Sequence, residues 1–441
     1  MSTAEAAARL GVKPATLYAY VSRGLLGRER SLDGRTSTFD PAEVDRLARP
    51  GRARRGRRPA ADLVVRSALT AIDHGLPWYR GLAATDLAGA RTFEEVADWL
   101  WTGYLPGPTT AATGSAPPPG GLVPWRAGEA ALAAGRQAQA ALPETALPLE
   151  RIRVIAAALA AGDELRLELH PAAVTAAGRS LIAGLVDCLP DAAPAEGQAA
   201  GGDPAAPGVG RPSGRAPEGA LPDPRGLGGG SVAGRLWRRL SALDPEPGLV
   251  GVLDAALVLL ADHELAASTV AARVAASVRA DPYAVVSAGL ATVSGTLHGG
   301  ASLGIEDLLD EIDRPEEATT VVGARLRRGE RLRGFGHRLY PDGDPRGRFL
   351  LTRLRDTAAG SPRMEVVNAL LEATTRRGLP DPNVDLALAA LAHVTSMTRG
   401  AAEAIFAIAR TAGWIAHALE EYDRNTPIRP RAVYTGPSIG T

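Results

Sequence analysis

The stretch RGFGHRLYPDGDPR at residues 333–346 places His337 among glycines and arginines and ends on the run Asp344-Pro345-Arg346. A second stretch, GTLHGGAS at residues 295–302, gives His298 a similar glycine-rich setting. Because glycine lacks a Cβ, such segments let the backbone and a ligand approach closely. A histidine taken alone is more often structural than catalytic, so a functional interpretation of these two depends on what surrounds them.

Outward from the two histidines, the local patterns favour helices. An apolar segment precedes His298, and Ile305 to Leu309 reads as the start of the next helix. Asn383 suits an N-cap, which places Asp385 in the first turn of a helix, where it is either a functional acid or a surface acid that compensates the helix dipole. The apolar run Ala404–Ile408 precedes Arg410. An unpaired charge there would be costly to bury, which favours a ligand for this arginine.

The composition also favours helices. Aromatic residues make up only 4% of the chain, Ala and Leu dominate, and no convincing alternating strand pattern or internal repeat appears. Alanine and leucine lose little conformational entropy in a helix. The 441 residues are 45% hydrophobic and 22% charged, which excludes a wholly disordered or fibrous chain. The sequence therefore predicts an all-α protein.

Charge and cysteine content indicate a soluble protein of a reducing compartment, which predicts a cytoplasmic location. Lys+Arg and Asp+Glu are balanced at 49 each, and Cys188 is the one cysteine, so a disulfide framework is excluded. No His-x-x-x-His spacing occurs, and we expect no metal. Two stretches lack charged residues, but prolines and glycines interrupt both, so no membrane span is expected. Trp99 to Trp125 predicts a loop, and Pro282 to Ile305 predicts a buried helix.

The amino terminus is a basic module, because residues 1–60 carry thirteen basic against six acidic side chains. Ser2 and Glu5 have capping-box spacing before a first helix that ends near Leu10. After a tight turn, Pro14 suits the first position of a second helix. This arrangement is typical of a helix-turn-helix, which we predict for residues 1–58.

The second of these helices would turn Leu17 and Val21 inward and three side chains outward, namely Thr16, Tyr20 and Arg23. A turn at Asp33-Gly34 and a third helix from Pro41 to Leu47 follow. The module resembles the MerR-type helix-turn-helix family in three runs: ARLGV at 8–12, TLY at 16–18 and FDP at 39–41.

A run of arginines follows the module and could neutralise nucleic-acid phosphates: Arg52, Arg54, Arg55, Arg57 and Arg58. Three interpretations remain open at this point. The module binds DNA, it is a retained helix-turn-helix without DNA binding, or the arginines belong to a solvated linker after a small structural module.

Eight short motifs, taken in order along the chain, resemble those of the citrate synthase family, and the segments around the two histidines are among them. One such motif would be a weak signal, but eight in the family's order are specific. They are Tyr79-Arg80-Gly81; ADHE around His263 with Ser268-Thr269 and Arg273; LHGG around His298; GFGHR around His337; Asp344-Pro345-Arg346; Asn383-Val384-Asp385; ART and GWIAH within residues 409–417; and Arg429-Pro430-Arg431 with Tyr434-Thr435-Gly436.

This resemblance implies the condensation of acetyl-CoA with oxaloacetate, followed by hydrolysis to citrate and CoA. It implies that Asp385 removes a methyl proton, that neutral His298 hydrogen-bonds the thioester oxygen, and that His337 polarises and protonates the ketone of oxaloacetate. The implied substrate-binding residues are His263, Arg346, Arg410 and Arg429. The coenzyme A thioester is then a substrate, and no cofactor is expected.

The resemblance also implies a domain plan and an assembly. A large helical domain would comprise residues 61–310 and 406–436, and a small one residues 311–405, with a homodimer whose sites lie near the interface. Residues 189–230 interrupt the large domain with Ala, Pro and Gly and no hydrophobic period, which predicts a disordered insertion.

Two departures from the family pattern concern the acyl-CoA. Ser302-Leu303 stands where the family usually has Asn-Glu, and Pro341 stands where it usually has lysine. Both lie near the expected coenzyme A region, so 2-methylcitrate synthase, which uses propionyl-CoA, is the nearest alternative. A second alternative is a DNA-binding regulator whose synthase-like body senses a metabolite. Such a sensor would not need Asp385, which acts only on the reacting methyl group.

Overall fold

In the computed structural model, the described residues are 1–10, 12, 17, 21, 26–27, 29–30, 37–41, 43–44, 65–105, 124–192, 230–295, 298 and 301–436. The chain divides into two compact units, Met1–Arg66 and Ser67–Thr441. Each unit has its own hydrophobic core.

The amino-terminal unit begins with helix α1 (Thr3–Leu10). The predicted capping box is confirmed, since the Ser2 N–H donates to Glu5 at 2.8 Å and the Glu5 N–H donates to the Ser2 hydroxyl. Strands β1 (Glu29–Arg30) and β2 (Ser37–Thr38) pair antiparallel. The core comprises Ala6, Ala7, Leu17, Leu26, Phe39 and Val44.

The inward position predicted for Leu17 is thereby confirmed. The residues predicted to face DNA lie outside the described residues: Thr16, Tyr20, Arg23 and the arginines at 52–58.

The second unit is helical apart from a short sheet at its start. Strands β3 (Thr70–Asp73), β4 (Leu76–Tyr79) and β5 (Leu82–Ala83) form an antiparallel meander. The sequence showed no convincing strand pattern, and the expectation that this unit has no strands is wrong at this point. His74 and Gly75, with φ of 48° and 71°, form the two-residue turn between β3 and β4, and such a turn matches the strand twist.

Fifteen α-helices follow in the described part of this unit, with one 3₁₀ turn at Pro315–Glu317 between α11 and α12. In chain order they are α2 (Ala84–Ala90), α3 (Phe93–Thr102), α4 (Glu129–Ala140), α5 (Pro148–Ala161), α6 (Pro171–Asp187), α7 (Val232–Leu240), α8 (Pro247–Leu260), α9 (Ala267–Ser277), α10 (Pro282–Val293), α11 (Ala301–Asp310), α12 (Ala318–Arg327), α13 (Pro345–Thr357), α14 (Pro362–Thr375), α15 (Val384–Val394) and α16 (Ala401–Arg424).

The long helix α16 is the centre of this unit. It packs against α3, α5, α6, α8, α9, α10, α11 and α15, and its residues are buried on every face from Ala401 to Ala418. A helix enclosed on all sides is normally apolar. Within this range the helix departs from that rule at three buried ionisable side chains, namely Glu403, Arg410 and His417.

Four element boundaries differ from the sequence predictions. The loop expected from Trp99 is wrong at its start, because α3 continues to Thr102. The buried helix expected from Pro282 to Ile305 ends at Val293. The helix expected at Ile305 begins earlier, at Ala301. The insertion expected from Leu189 begins later, since Leu189 is buried and the Ala192 N–H donates to the Arg238 carbonyl. Residues 193–229 lie outside the described residues.

Within the described ranges, no helix combines the length and apolar character that crossing a bilayer requires.

Candidate active site

Two histidines and a tyrosine form the centre of the candidate site. His263 Nε2 lies 2.8 Å from the Tyr340 hydroxyl. The His337 ring is 4.8 Å from the Tyr340 ring and 5.5 Å from the His263 ring, between centroids. The structure thus brings together His263 and His337, which are 74 positions apart, and adds Tyr340, to which the sequence analysis gave no role.

Arg346 is held beside this cluster by an ion pair. Its Nε and Nη2 donate to the two carboxylate oxygens of Asp344 at 3.0 and 2.9 Å. Its guanidinium lies 5.1 Å from the centre of the Tyr340 ring, and Nη2 lies 3.5 Å from His337 Nε2. Burial disfavours the charge, but Asp344 outweighs burial and raises the pKa of Arg346. A bidentate pair of this kind fixes the plane of the guanidinium.

The same Asp344 connects Arg346 to the helix that carries Asp385. Its Oδ2 accepts the Val384 N–H at 3.0 Å, at the first residue of α15. The predicted N-cap is confirmed, because the Asn383 side chain accepts the backbone N–H groups of Asp385 and Leu386. Asp344 therefore fixes the start of α15 relative to Arg346.

Asp385 itself carries a perturbed carboxyl group. Burial raises its pKa to about 6, and the Asp344 charge adds to the rise while Arg346 opposes it. Among the described residues, none donates a hydrogen bond to its side chain, although its backbone N–H is satisfied by Asn383. A carboxylate with a pKa of about 6 is a suitable general base near neutral pH.

His298 lies between α10 and α11 and contacts two other helices. Its Nε2 is 2.9 Å from the Ser268 hydroxyl of α9, and its ring packs edge-on against Phe406 of α16 at 5.8 Å. Burial, followed by the charge of Arg410, lowers the pKa of His298. Burial and the charge of Arg410 together favour the neutral imidazole that the resemblance implies.

Arg410 is almost fully buried in the middle of α16. Its Nε donates to the Leu260 carbonyl at 2.8 Å, and its guanidinium stacks 4.7 Å from the centre of the Phe406 ring. No carboxylate of the described residues lies within ion-pairing distance of it. Burial lowers the pKa of Arg410, and the more distant Asp262 opposes that effect.

Burial and nearby arginine charges lower the pKa of all three site histidines. Burial lowers the pKa of His263 well below its usual value, and Arg346 and Arg410 add to this shift. Burial and Arg346 also lower the pKa of His337. All three imidazoles are thus neutral near pH 7, where each can donate one hydrogen bond and accept another.

Arg429 is the one predicted site residue that a single chain does not bring to the cluster. It is exposed in the segment after α16, and the neighbouring Ile428 N–H donates to Ser277 at the end of α9. Ser268, which contacts His298, lies at the start of the same helix. At 1.5 Å per residue, these two serines are about 14 Å apart.

Sequence reasoning gave no role to the residues that position the predicted ones, although two of them stand in the quoted motifs: Ser268, Tyr340, Asp344 and Phe406. One signal was readable, since Asp344 before Pro345 is a typical N-cap followed by proline at the first helical position. Within the described part of the chain, no three His, Cys, Asp or Glu side chains converge as metal ligands.

The comparisons with known proteins match both units of the chain. Residues 61–431 match the family model "Citrate synthase, C-terminal domain", and residues 1–55 match "MerR HTH family regulatory protein".

Three relatives illustrate the range of similarity. "Citrate synthase" of Acidithiobacillus ferridurans is 30% identical over 82% of this chain and 90% of its own length. "Citrate synthase 2" of Bacillus subtilis is 39% identical over 47% of this chain and 56% of its own length. "2-methylcitrate synthase 1" of Corynebacterium glutamicum is 33% identical over 41% and 48%. The chain thus spans about half the length of several relatives that it matches.

Among solved structures, the fold is similar to that of citrate synthase from the archaeon Thermoplasma acidophilum, solved as a ternary complex with carboxymethyl coenzyme A and oxaloacetate. The TM-score is 0.63 with 23% sequence identity, over 86% of this chain and 95% of that chain. At this identity the likeness establishes the all-α fold.

Proposed function

This chain belongs to the citrate synthase family, and we propose that it condenses acetyl-CoA with oxaloacetate and hydrolyses the product to citrate and CoA. The observation that carries the proposal is the arrangement of the buried site. A carboxyl group with a pKa of about 6, Asp385, is joined through Asp344 to Arg346 and the two histidines beside it. A general base and a carboxylate-binding group are thereby linked in one structural unit.

Oxaloacetate is a dianion, and fixed guanidinium groups are the side chains best suited to hold its carboxylates. Arg410 has both terminal nitrogens free of carboxylate partners among the described residues, so it is one binding group. Arg346 is already paired with Asp344, and its charge supports the same anion from the Tyr340 side. His263, neutral and bonded to Tyr340, provides a further polar contact.

The acyl side of the site acts on acetyl-CoA. Asp385 accepts a proton from the thioester's methyl group while His298 donates a hydrogen bond to the thioester oxygen, which stabilises the enolate that forms. If the Ser268 hydroxyl donates to Nε2, the proton of neutral His298 lies on Nδ1 and is available to the substrate. The Ser268 hydroxyl on α9 would thereby set the tautomer of His298.

The ketone of oxaloacetate receives its proton from His337. The Leu339 N–H donates to His337 Nδ1 at 3.2 Å, which favours the tautomer with the proton on Nε2. Arg346 Nη2 lies 3.5 Å from Nε2, at the outer limit of a hydrogen bond, and so leaves this proton for the substrate. The enolate carbon attacks the ketone carbon while the ketone oxygen takes this proton from His337. Asp385 then releases the proton it took and His337 is protonated again, and water cleaves the citryl thioester to release CoA.

A steady-state assay of CoA release, with acetyl-CoA or propionyl-CoA and oxaloacetate, tests the proposal. We expect a higher kcat/KM for acetyl-CoA. A preference for propionyl-CoA would favour 2-methylcitrate synthesis, the alternative to which Ser302-Leu303 and the Corynebacterium relative point. No CoA release with either thioester would contradict the proposed function.

We further propose a homodimer in which Arg429 of one copy completes the site of the other. Arg429 is exposed and remote from its own cluster. Exposed Val274 on α9 and Val278 directly after this helix offer apolar surface for a partner. Mixing Arg429→Leu with Asp385→Ala protein tests this assembly. Each variant alone should be inactive, and exchange of subunits should restore about a quarter of the activity, since half of the dimers are then hybrids with one intact site. No recovery after exchange would contradict it.

For the amino-terminal unit we propose DNA binding, which the MerR-family match over residues 1–55 supports. Two copies in a dimer would bind half-sites about one helical turn apart. Affinity for genomic fragments should fall steeply with salt, because arginine contacts to phosphates release counterions. Removing residues 1–58 should abolish this binding and leave catalysis intact. No salt-dependent retention at micromolar protein would contradict a DNA role.

A further inference from the structure

A chain of buried charged groups lies behind the oxaloacetate side of the site and takes no part in the chemistry described above. Asp262 Oδ2 lies 3.2 Å from His417 Nε2, and both side chains are fully buried. On the other face of the imidazole, Nδ1 meets the guanidinium of Arg273. Arg273 continues the chain to Glu420 and Glu421 at 2.6 Å each.

The directions of the two hydrogen bonds of His417 follow from its neighbours. A guanidinium can only donate hydrogen bonds, so Nδ1 accepts from Arg273. A carboxylate can only accept, so Nε2 donates to Asp262. His417 therefore connects Arg273 on one side to the Asp262 carboxylate, which it orients, on the other.

Asp262 lies in the short segment that joins two of the proposed substrate-binding residues. It directly precedes His263 in the chain, and the Leu260 carbonyl, two residues before it, accepts the Arg410 Nε at 2.8 Å. The charge of Asp262 also opposes the effect of burial on the pKa of Arg410. The position of His263 and of the carbonyl that holds Arg410 thus depends on the conformation around Asp262, whose side chain is bonded to His417.

The packing leaves little freedom for this segment to shift. The Gly413 N–H of α16 donates to the Ala261 carbonyl at 2.9 Å. A Cβ at Gly413 would lie 2.4 Å from that carbonyl and 2.5 Å from Asp262 Oδ1. With the backbone fixed in this way, the His417 hydrogen bond orients Oδ2 of the Asp262 carboxylate, and Thr70 is a second side chain close to the same carboxylate.

We propose that His417 is a positioning residue for the oxaloacetate side of the site, acting through Asp262 on His263 and Arg410. The inference rests on the proposed function, because it names oxaloacetate as the ligand. His417 touches no substrate in this account.

The effect should fall on oxaloacetate affinity rather than on turnover. His298 is held by Ser268 and Phe406, and the helix of Asp385 is held by Asn383 and Asp344. His417 contacts none of these four side chains. An enzyme saturated with oxaloacetate should therefore keep its catalytic groups in place.

Two substitutions of nearly equal polarity separate this role from a structural one. In His417→Gln the amide nitrogen can occupy the place of Nε2 and still donate to Asp262, whereas in His417→Asn the shorter amide reaches only the place of Nδ1. His393→Asn is the matched control. His393 is a largely buried helical histidine whose ring nitrogens make no hydrogen bond to the described residues, with Nδ1 3.5 Å from the Asp310 carboxylate.

The measurements are oxaloacetate Kd by calorimetry, kcat at saturating oxaloacetate, and thermal unfolding of each full-length variant. We expect His417→Asn to weaken oxaloacetate binding about tenfold, the scale of one lost hydrogen bond to a charged group. Its kcat should stay within about threefold, His417→Gln should recover most of the affinity, and His393→Asn should bind as the parent does.

The outcomes are distinguishable. Equal oxaloacetate affinity in the asparagine and glutamine variants would overturn the role of His417, as would a loss of kcat and stability in both with no difference in affinity between them. Parent protein that binds no oxaloacetate would overturn the proposed function together with this inference.

Discussion

The two sides of the candidate site are held in different ways. On the oxaloacetate side, Arg346 makes two bonds to Asp344, His263 is bonded to Tyr340, and Arg410 is bonded to the Leu260 carbonyl. On the acyl side, His298 has one side-chain hydrogen bond, to Ser268. The Asp385 carboxylate has none from the described residues.

This difference follows from what each side does, since one side binds oxaloacetate and the other removes a proton from the acyl group. Groups that bind a fixed dianion benefit from being ordered before the ligand arrives, because no reorganisation is then needed on binding. A general base must instead exchange a proton, and a carboxylate without hydrogen-bond donors, in a buried position, keeps its pKa close to the working pH. We therefore predict that one substitution can weaken oxaloacetate binding without lowering kcat, and that another can lower kcat without weakening oxaloacetate binding.

The largest effect should come from Asp385→Ala. Removing the base should lower kcat about a hundredfold to ten-thousandfold, the usual range for a general base. The measurement is CoA release under saturating substrates, with Arg399→Leu, an exposed site on the approach to α16, as the control. Near-normal turnover in Asp385→Ala would remove this residue from the mechanism.

The next effect should come from Arg410→Leu, with Arg346→Leu as its counterpart. Losing a charged partner in a closed site should weaken oxaloacetate binding by about 2–5 kcal/mol. Affinity for CoA alone should be unchanged, since both arginines lie on the other side of the site. Calorimetry with each ligand checks both statements, and unchanged oxaloacetate affinity in both variants would refute the assignment.

The pH dependence of kcat/KM for acetyl-CoA should report the acyl side, because this quantity depends on the pKa values of the ligand-free enzyme. The folded-state pKa of Asp385 is raised to about 6, and the base works only when ionised. The value should therefore be half-maximal near pH 6 and fall about tenfold for each further unit of decrease. A pH profile of kcat/KM checks this, and a profile that stays flat down to pH 4.5 would show that burial does not tune the base.

A smaller effect should come from Ser268→Ala. Without this hydroxyl, His298 loses the bond that fixes its tautomer, and kcat should fall about threefold to tenfold, as expected for one neutral hydrogen bond. Oxaloacetate affinity should be unchanged. Ser287→Ala, which removes a hydroxyl bonded to its own helix backbone, is the control. An equal fall in both variants would indicate general destabilisation.

The sequence made much of this arrangement predictable. The Asn383 cap, the first-turn position of Asp385 and the capping box at Ser2 and Glu5 are local patterns, and the structure confirms all three. The all-α class and the citrate synthase and MerR resemblances are confirmed as well. Each depends on residues close together in the chain or on motifs in a specific order.

The remainder depends on contacts between distant segments. Nothing near Arg410 indicates that Asp262, 148 positions earlier, balances its charge, or that Ser268 meets His298 across two helices. The short sheet at β3 to β5 was missed because its strands are brief and their turn, His74-Gly75, lies outside the commonest turn pairs. The position of Arg429 could not be read from one chain, because a single copy leaves it exposed.

The most direct test of the separation between the two sides is a calorimetric titration of Asp385→Ala with oxaloacetate. We predict that this variant binds oxaloacetate at least as tightly as the parent protein does. The substitution removes a negative charge near Arg346 and leaves in place the hydrogen bonds from Arg346 to Asp344 and from Arg410 to the Leu260 carbonyl. Binding weakened as much as in Arg410→Leu would contradict this prediction, since the base would then be part of the oxaloacetate site.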